Sequence, residues 1–104
     1  MPYVRTLTFT VPPDRVDELS PGHNLYLAAV FGTQIAAQNT QGYQKGGVWM
    51  QRQTEGSTLV FMFSQWDELD SMEAYANLPM LLDFVKDVST YLSPVKLEIY
   101  EVLG

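Results

Sequence analysis

An α+β domain with the element order βαββαβ is predicted by three features of this sequence. Four stretches rich in β-branched and aromatic residues read as strands: Tyr3–Val11, Tyr43–Gln53, Thr58–Trp66 and Val95–Leu103. Helix-competent regions separate the first strand from the second, and the third from the last. The turn Thr54-Glu55-Gly56-Ser57 joins the middle strands and leaves no room for a helix between them. That order is the ferredoxin-like unit: an antiparallel sheet, helices on one face, the first and third strands at the centre.

Each element has its own local signal. The first strand alternates Tyr3, Arg5, Leu7, Phe9 and Val11 with Val4, Thr6, Thr8 and Thr10, a period of two, and Pro12-Pro13-Asp14 ends it. Asp14 to Leu19 can form one helical turn. Ser20-Pro21-Gly22-His23-Asn24 then interrupts, with Ser20 or Asn24 as the expected cap of the helix that follows. Leu25, Ala28, Ala29, Gly32, Ile35 and Ala36 fall on one face at helical spacing, small enough to let that helix lie close to a sheet. Gly42 supplies the stop. In the second strand, Gly46 and Gly47 point to a bulge or a close backbone approach. Asp67 is the expected cap of the acidic helix through Asn77. Pro79 opens a further helix to about Leu92, its buried face marked by Leu81, Phe84, Val85, Val88 and Leu92, and Ser93-Pro94 closes it.

The third strand is apolar on both faces. Helices cover one side, so Val60 and Met62 are expected on the other, with Trp66 in phase. Leaving such a patch in water costs ~25 cal/mol per Å². A second copy is the simplest cover, and a homodimer packed sheet against sheet into an α/β barrel is expected.

The chain has 104 residues, enough for one domain over residues 1–104, and is 46% hydrophobic. Six basic against twelve acidic residues give a net charge of −6, the wrong sign for a phosphate-binding surface. Phe61 and Phe63 could stack on bases, but the basic and glycine residues of an RNA-binding motif do not accompany them, so no nucleic-acid partner is expected. No cysteine is present, and neither a signal peptide nor a membrane span is visible. The expectation is a cytoplasmic protein without a membrane partner.

Candidate chemistry rests on few side chains. Trp66 ends the third strand where the acidic helix begins, and is either a plug over the core or a wall for a flat ligand. Arg5 shares a strand face with Leu7, Phe9 and Val11, which puts a charge among apolar neighbours. It either snorkels to water, pairs with Glu101 on the last strand, or holds a ligand carboxylate or phenolate. His23 is the single histidine, in a loop at a helix start, and would suit a general base at neutral pH. Asp67, Asp70 and Glu73 read as acids favoured near a helix N-terminus, so no metal site is expected. Tyr26, Gln34, Gln38, Tyr43, Trp49, Arg52, Tyr75 and Tyr91 form a polar-aromatic reserve that could line a pocket between helices and sheet.

Two segments, Gln41 to Gln51 and Phe61 to Tyr75, resemble the antibiotic-biosynthesis-monooxygenase-like domains: a Gly-Tyr entry to the second strand, then a strand ending Ser-x-Trp before an acidic helix. The resemblance implies a cofactor-independent monooxygenase acting on a small aromatic or polycyclic molecule, with no cofactor. Of the family's functional positions only Trp66 matches; beside it, Arg5 and His23 are the candidates for catalysis, and Trp49, Trp66, Tyr75 and Tyr26 for substrate contact. The polyketide oxygenases of that family carry an Asn and a Tyr where this chain has Met62 and Met72. The haem-degrading members use a first-strand Asn, and a His near the position of Val85, neither of which is present. A non-catalytic dimeric protein that binds a small ligand or a partner is the alternative.

Overall fold

A computed structural model describes residues 1–104. Its strands are β1 (Tyr3–Val11), β2 (Tyr43–Arg52), β3 (Thr58–Trp66) and β4 (Lys96–Glu101), in one sheet of order β2-β3-β1-β4. Every pairing is antiparallel, and β1 and β3 are central. This is the ferredoxin-like arrangement that the element order predicts.

The connections follow local chemistry. Pro13–Leu19 forms a 3-10 turn, and Arg15 ties it down by ion pairing with Glu18 and donating to the Tyr91 carbonyl. Gly42 has φ +92, and a Cβ there would lie 2.3 Å from both Asp67 and Ser71, so only glycine fits this entry to β2. A register shift between Tyr43 and Lys45 is the bulge, just ahead of Gly46. At Gly46 a Cβ would stand 2.7 Å from the Phe63 carbonyl oxygen, which is the close approach the glycine pair implies.

The first helical rod differs from its expected period. It runs as an α turn, α1 (Asn24–Tyr26), a π segment (Leu27–Gly32) and α2 (Thr33–Gln38). Leu25, Ala29, Thr33 and Ala37 are its buried residues, while Ile35, expected inward, is exposed. The cause is the π turn. Its ring closes from the Thr33 N–H to the Ala28 carbonyl, so a turn holds more than the ~3.6 residues of an α-helix and i+4 neighbours line up. The Ala29 carbonyl, which an α-helix would pair with that N–H, accepts the Thr33 hydroxyl at 2.7 Å. His23 occupies the cap position, not Ser20 or Asn24, and makes no side-chain cap bond.

The acidic helix α3 (Leu69–Ala76) is capped by Glu68, one residue later than the expected Asp67; the Asp67 N–H instead donates to the Gly42 carbonyl. Helix α4 (Pro79–Tyr91) buries Leu81, Phe84 and Val88.

The faces of β3 are the reverse of the expected ones. Val60, Met62 and Trp66 point to the helices, in register with Phe9, Leu7 and Tyr3. Together with Phe84, Val88, Leu25 and Ala29, the first two build the main core. The uncovered face carries Phe61 and Phe63, with Trp49 of β2 stacked on Phe61 at 5.6 Å and 18°. Strand alternation separates these two sets, but only the position of the helices says which set is inside.

No helix is long and apolar enough to cross a membrane.

Candidate functional site

Beneath the sheet, polar side chains from four elements meet. Arg5 enters from β1, Ser64 from β3, Gln34 from α2 and Tyr75 from α3, with Leu7, Met62 and Leu81 among them. The cavity between them measures about 10 Å³. That is room for roughly one water molecule.

Arg5 is 7% exposed. The ion pairs of the protein are Arg15–Glu18 and Lys96–Glu98, so no acid balances Arg5. Glu101 does not reach it: β1–β4 register sets Glu101 opposite Tyr3 and Ile99 opposite Arg5. The guanidinium lies 5.7 Å from the centre of the Tyr75 ring, within cation–π range. Burial pulls the Arg5 pKa below its ordinary value, and Tyr75 partly offsets this. A guanidinium keeps its proton under such shifts, so a positive charge faces the cavity.

Tyr75 is 2% exposed, and its hydroxyl donates to the Thr33 carbonyl at 3.3 Å. Burial pushes its pKa up to about 12, against a smaller lowering by Arg5. It is therefore a neutral phenol at physiological pH, able to donate a hydrogen bond but not to act as a base.

Trp66 is fully buried, but one layer behind the cavity. Its ring tilts against Tyr75 at 4.9 Å, Tyr43 meets its edge at 5.6 Å, and its indole N–H donates to Ser64 Oγ at 2.9 Å. It supports two cavity residues, Tyr75 and Ser64, and packs with Ala37, Met72 and Leu81. The remaining candidates lie elsewhere. His23 is exposed at the start of α1. Tyr26 and Trp49 border a second pocket of about 240 Å³, lined entirely by hydrophobic residues that include Ala29, Val48 and Val60.

In the sequence Gln34 belongs only to the broad polar reserve, and Ser64 appears only as the first residue of the Ser-x-Trp motif. The signal for Ser64 is register: it sits directly across from Arg5, in phase with Met62 and Trp66. Gln34 depends on the π segment before it, which periodicity does not announce. No three His, Cys, Asp or Glu side chains gather where they could hold a metal ion.

Two measurements check this arrangement. Trp66→Phe removes the N–H donor to Ser64 and should destabilise by about 1–3 kcal/mol in urea unfolding, with Trp66→Ala worse at ~3–5 kcal/mol. An unchanged unfolding midpoint for both would contradict the packing role. The second concerns pH. Below about pH 10 Tyr75 is protonated in both states; between 10 and 12 the unfolded chain ionises first, which favours unfolding. Stability should therefore fall by about 2–3 kcal/mol across that window. Tyr75→Phe should flatten this part of the profile.

No protein-family model matches the chain, and no curated protein matches it in sequence. Solved structures do match in shape. A candidate antibiotic biosynthesis monooxygenase from Deinococcus radiodurans is 17% identical, with 98% of this chain and 93% of that chain covered and a TM-score of 0.74. A conserved protein from Methanosarcina mazei is 16% identical, with coverage of 97% and 92% and a TM-score of 0.73. The cofactor-independent oxygenase SnoaB from Streptomyces nogalater, in a mutant form, is 15% identical, with coverage of 99% and 94% and a TM-score of 0.66. The ferredoxin-like α+β chain described here has the fold of the antibiotic-biosynthesis-monooxygenase-like domains.

Proposed function

We propose that the protein binds a small aromatic molecule as its phenolate or enolate beside Arg5, and oxidises it with molecular oxygen without a cofactor. The observation that carries this reading is a buried cation with no acidic partner. Such a charge favours a ligand anion, and in a site shielded from water the attraction is far stronger than at the surface. The likeness in fold to SnoaB agrees with the choice of reaction.

The chemistry is simple to balance. A phenol and one O₂ give a quinone and one water. One oxygen atom replaces a ring hydrogen as a carbonyl, the other leaves as water, and the ring supplies the electrons. Arg5 lowers the substrate's pKa, so the proton departs to solvent and the cavity needs no general base. Tyr75 keeps its proton on the Thr33 carbonyl and holds its ring beside the guanidinium. Trp66 acts as a positioning residue through Tyr75 and Ser64. Assigned catalysis therefore rests on Arg5, with His23 outside the site.

A non-catalytic ligand-binding protein is the second reading. The small size of the cavity and the apolar Met62 in its wall favour that reading. Oxygen uptake with a hydroxylated anthrone separates the two. Uptake above the uncatalysed rate, lowered about 100-fold or more by Arg5→Gln, supports the enzyme. Binding without uptake supports the second reading. Neither binding nor uptake overturns both.

We also infer that a second copy covers the open sheet face, where Trp49 is 62% exposed beside Phe61 and Phe63. Sedimentation at micromolar concentration should give about twice 11.8 kDa. Trp49→Glu should shift the protein to the single mass, and a wild-type monomer would remove the barrel.

A further inference from the structure

The residues expected to touch one substrate are divided between two spaces. Tyr75 lines the polar cavity at Arg5, while Tyr26 and Trp49 border the apolar pocket. The polar space holds about one water, and the apolar one is about 240 Å³. Neither alone suits a polycyclic anion. The first has the charge but no room, and the second has the room but no polar lining.

Met62 stands between them. It is 5% exposed and lines the polar cavity. Val48, directly across the β2–β3 ladder, and Val60, two residues along the same strand face, both line the apolar pocket. We infer that the two pockets are halves of one divided ligand site, with the Met62 side chain as the partition. This rests on the anion-binding part of the function proposed above. Methionine suits the role because its unbranched, flexible side chain changes rotamer more readily than a branched one. With the thioether withdrawn, the joined space approaches the lower end of ligand pockets, ~300 Å³.

The ligand class follows from the order of the two halves. An ionised oxygen faces the Arg5 guanidinium and the Gln34 side chain. A fused aromatic system then runs past Met62 under the π segment, between Ala29 and Val48. The ligand is thus an elongated aromatic anion, apolar at the far end. A one-ring anion also displaces Met62, since the Arg5 half holds about one water, but it leaves the far end of the apolar half empty.

Two probes with the same head group test this: salicylate, with one ring, and 3-hydroxy-2-naphthoate, with two, titrated by calorimetry and by naphthoate fluorescence. Met62→Ala should tighten both probes, naphthoate by about tenfold, because neither fits the Arg5 half with Met62 in place. Val48→Phe, which fills the apolar half, should weaken naphthoate about fivefold or more and leave salicylate unchanged. Arg5→Gln should weaken both. If Met62→Ala does not fold, Val48→Phe decides alone: equal affinity of that variant and wild type for naphthoate overturns the divided site. So does a Met62→Ala variant that folds and binds naphthoate no more tightly than wild type. Unchanged binding of both probes by Arg5→Gln removes the anion site itself. A wild type that binds neither probe overturns both proposals.

Discussion

A guanidinium held out of water without a carboxylate is costly, and the site is arranged around that charge. Arg5 lies on a central strand, so its side chain has no short route to the surface. What compensates it is diffuse: the face of Tyr75 at 5.7 Å, and the polar groups of Gln34 and Ser64 around the same small cavity. An acid there would have stabilised the fold further and neutralised the charge. Its absence leaves a positive centre in a low-dielectric space, where a ligand anion gains most.

That centre depends on a stack of support. Trp66 fixes Ser64 through its N–H and Tyr75 through ring contact, and Tyr75 in turn anchors to the Thr33 carbonyl. Thr33 is at the end of the π segment, whose wide turn brings residues 25, 29, 33 and 37 into one buried line. A straight α-helix would carry Thr33 and Gln34 round the rod by a different angle. The junction that opens α3, the glycine at position 42 and the π segment therefore act on one place in the fold, though they are far apart in the chain.

The two sheet faces divide the remaining work. The helix-side face combines the aliphatic core with the Arg5 cavity and the apolar pocket, and Met62 belongs to both core and cavity. The opposite face is built on the aromatic cluster of Trp49, Phe61 and Phe63, in which adjacent rings support one another while one side remains open. An exposed aromatic cluster of this kind is costly to leave in water, and that cost is independent of the cavity on the other face.

The order of elements, the central position of β1 and β3, the Gly56 hairpin and the burial of Trp66 were legible from residue patterns, because period, turn chemistry and chain order are local properties. Other features were not legible in this way. Alternation along β3 sorts Val60 and Met62 from Phe61 and Phe63, but is silent on which set meets the helices, since that depends on where distant segments pack. The π turn arises from packing and from the Thr33 hydroxyl, so a 3.6-residue period misplaced Ile35 and concealed Gln34. Arg5 reads as an anomalous charge in one dimension; whether it has a partner is a matter of three-dimensional distance, and β1–β4 register, not strand phase, keeps Glu101 away.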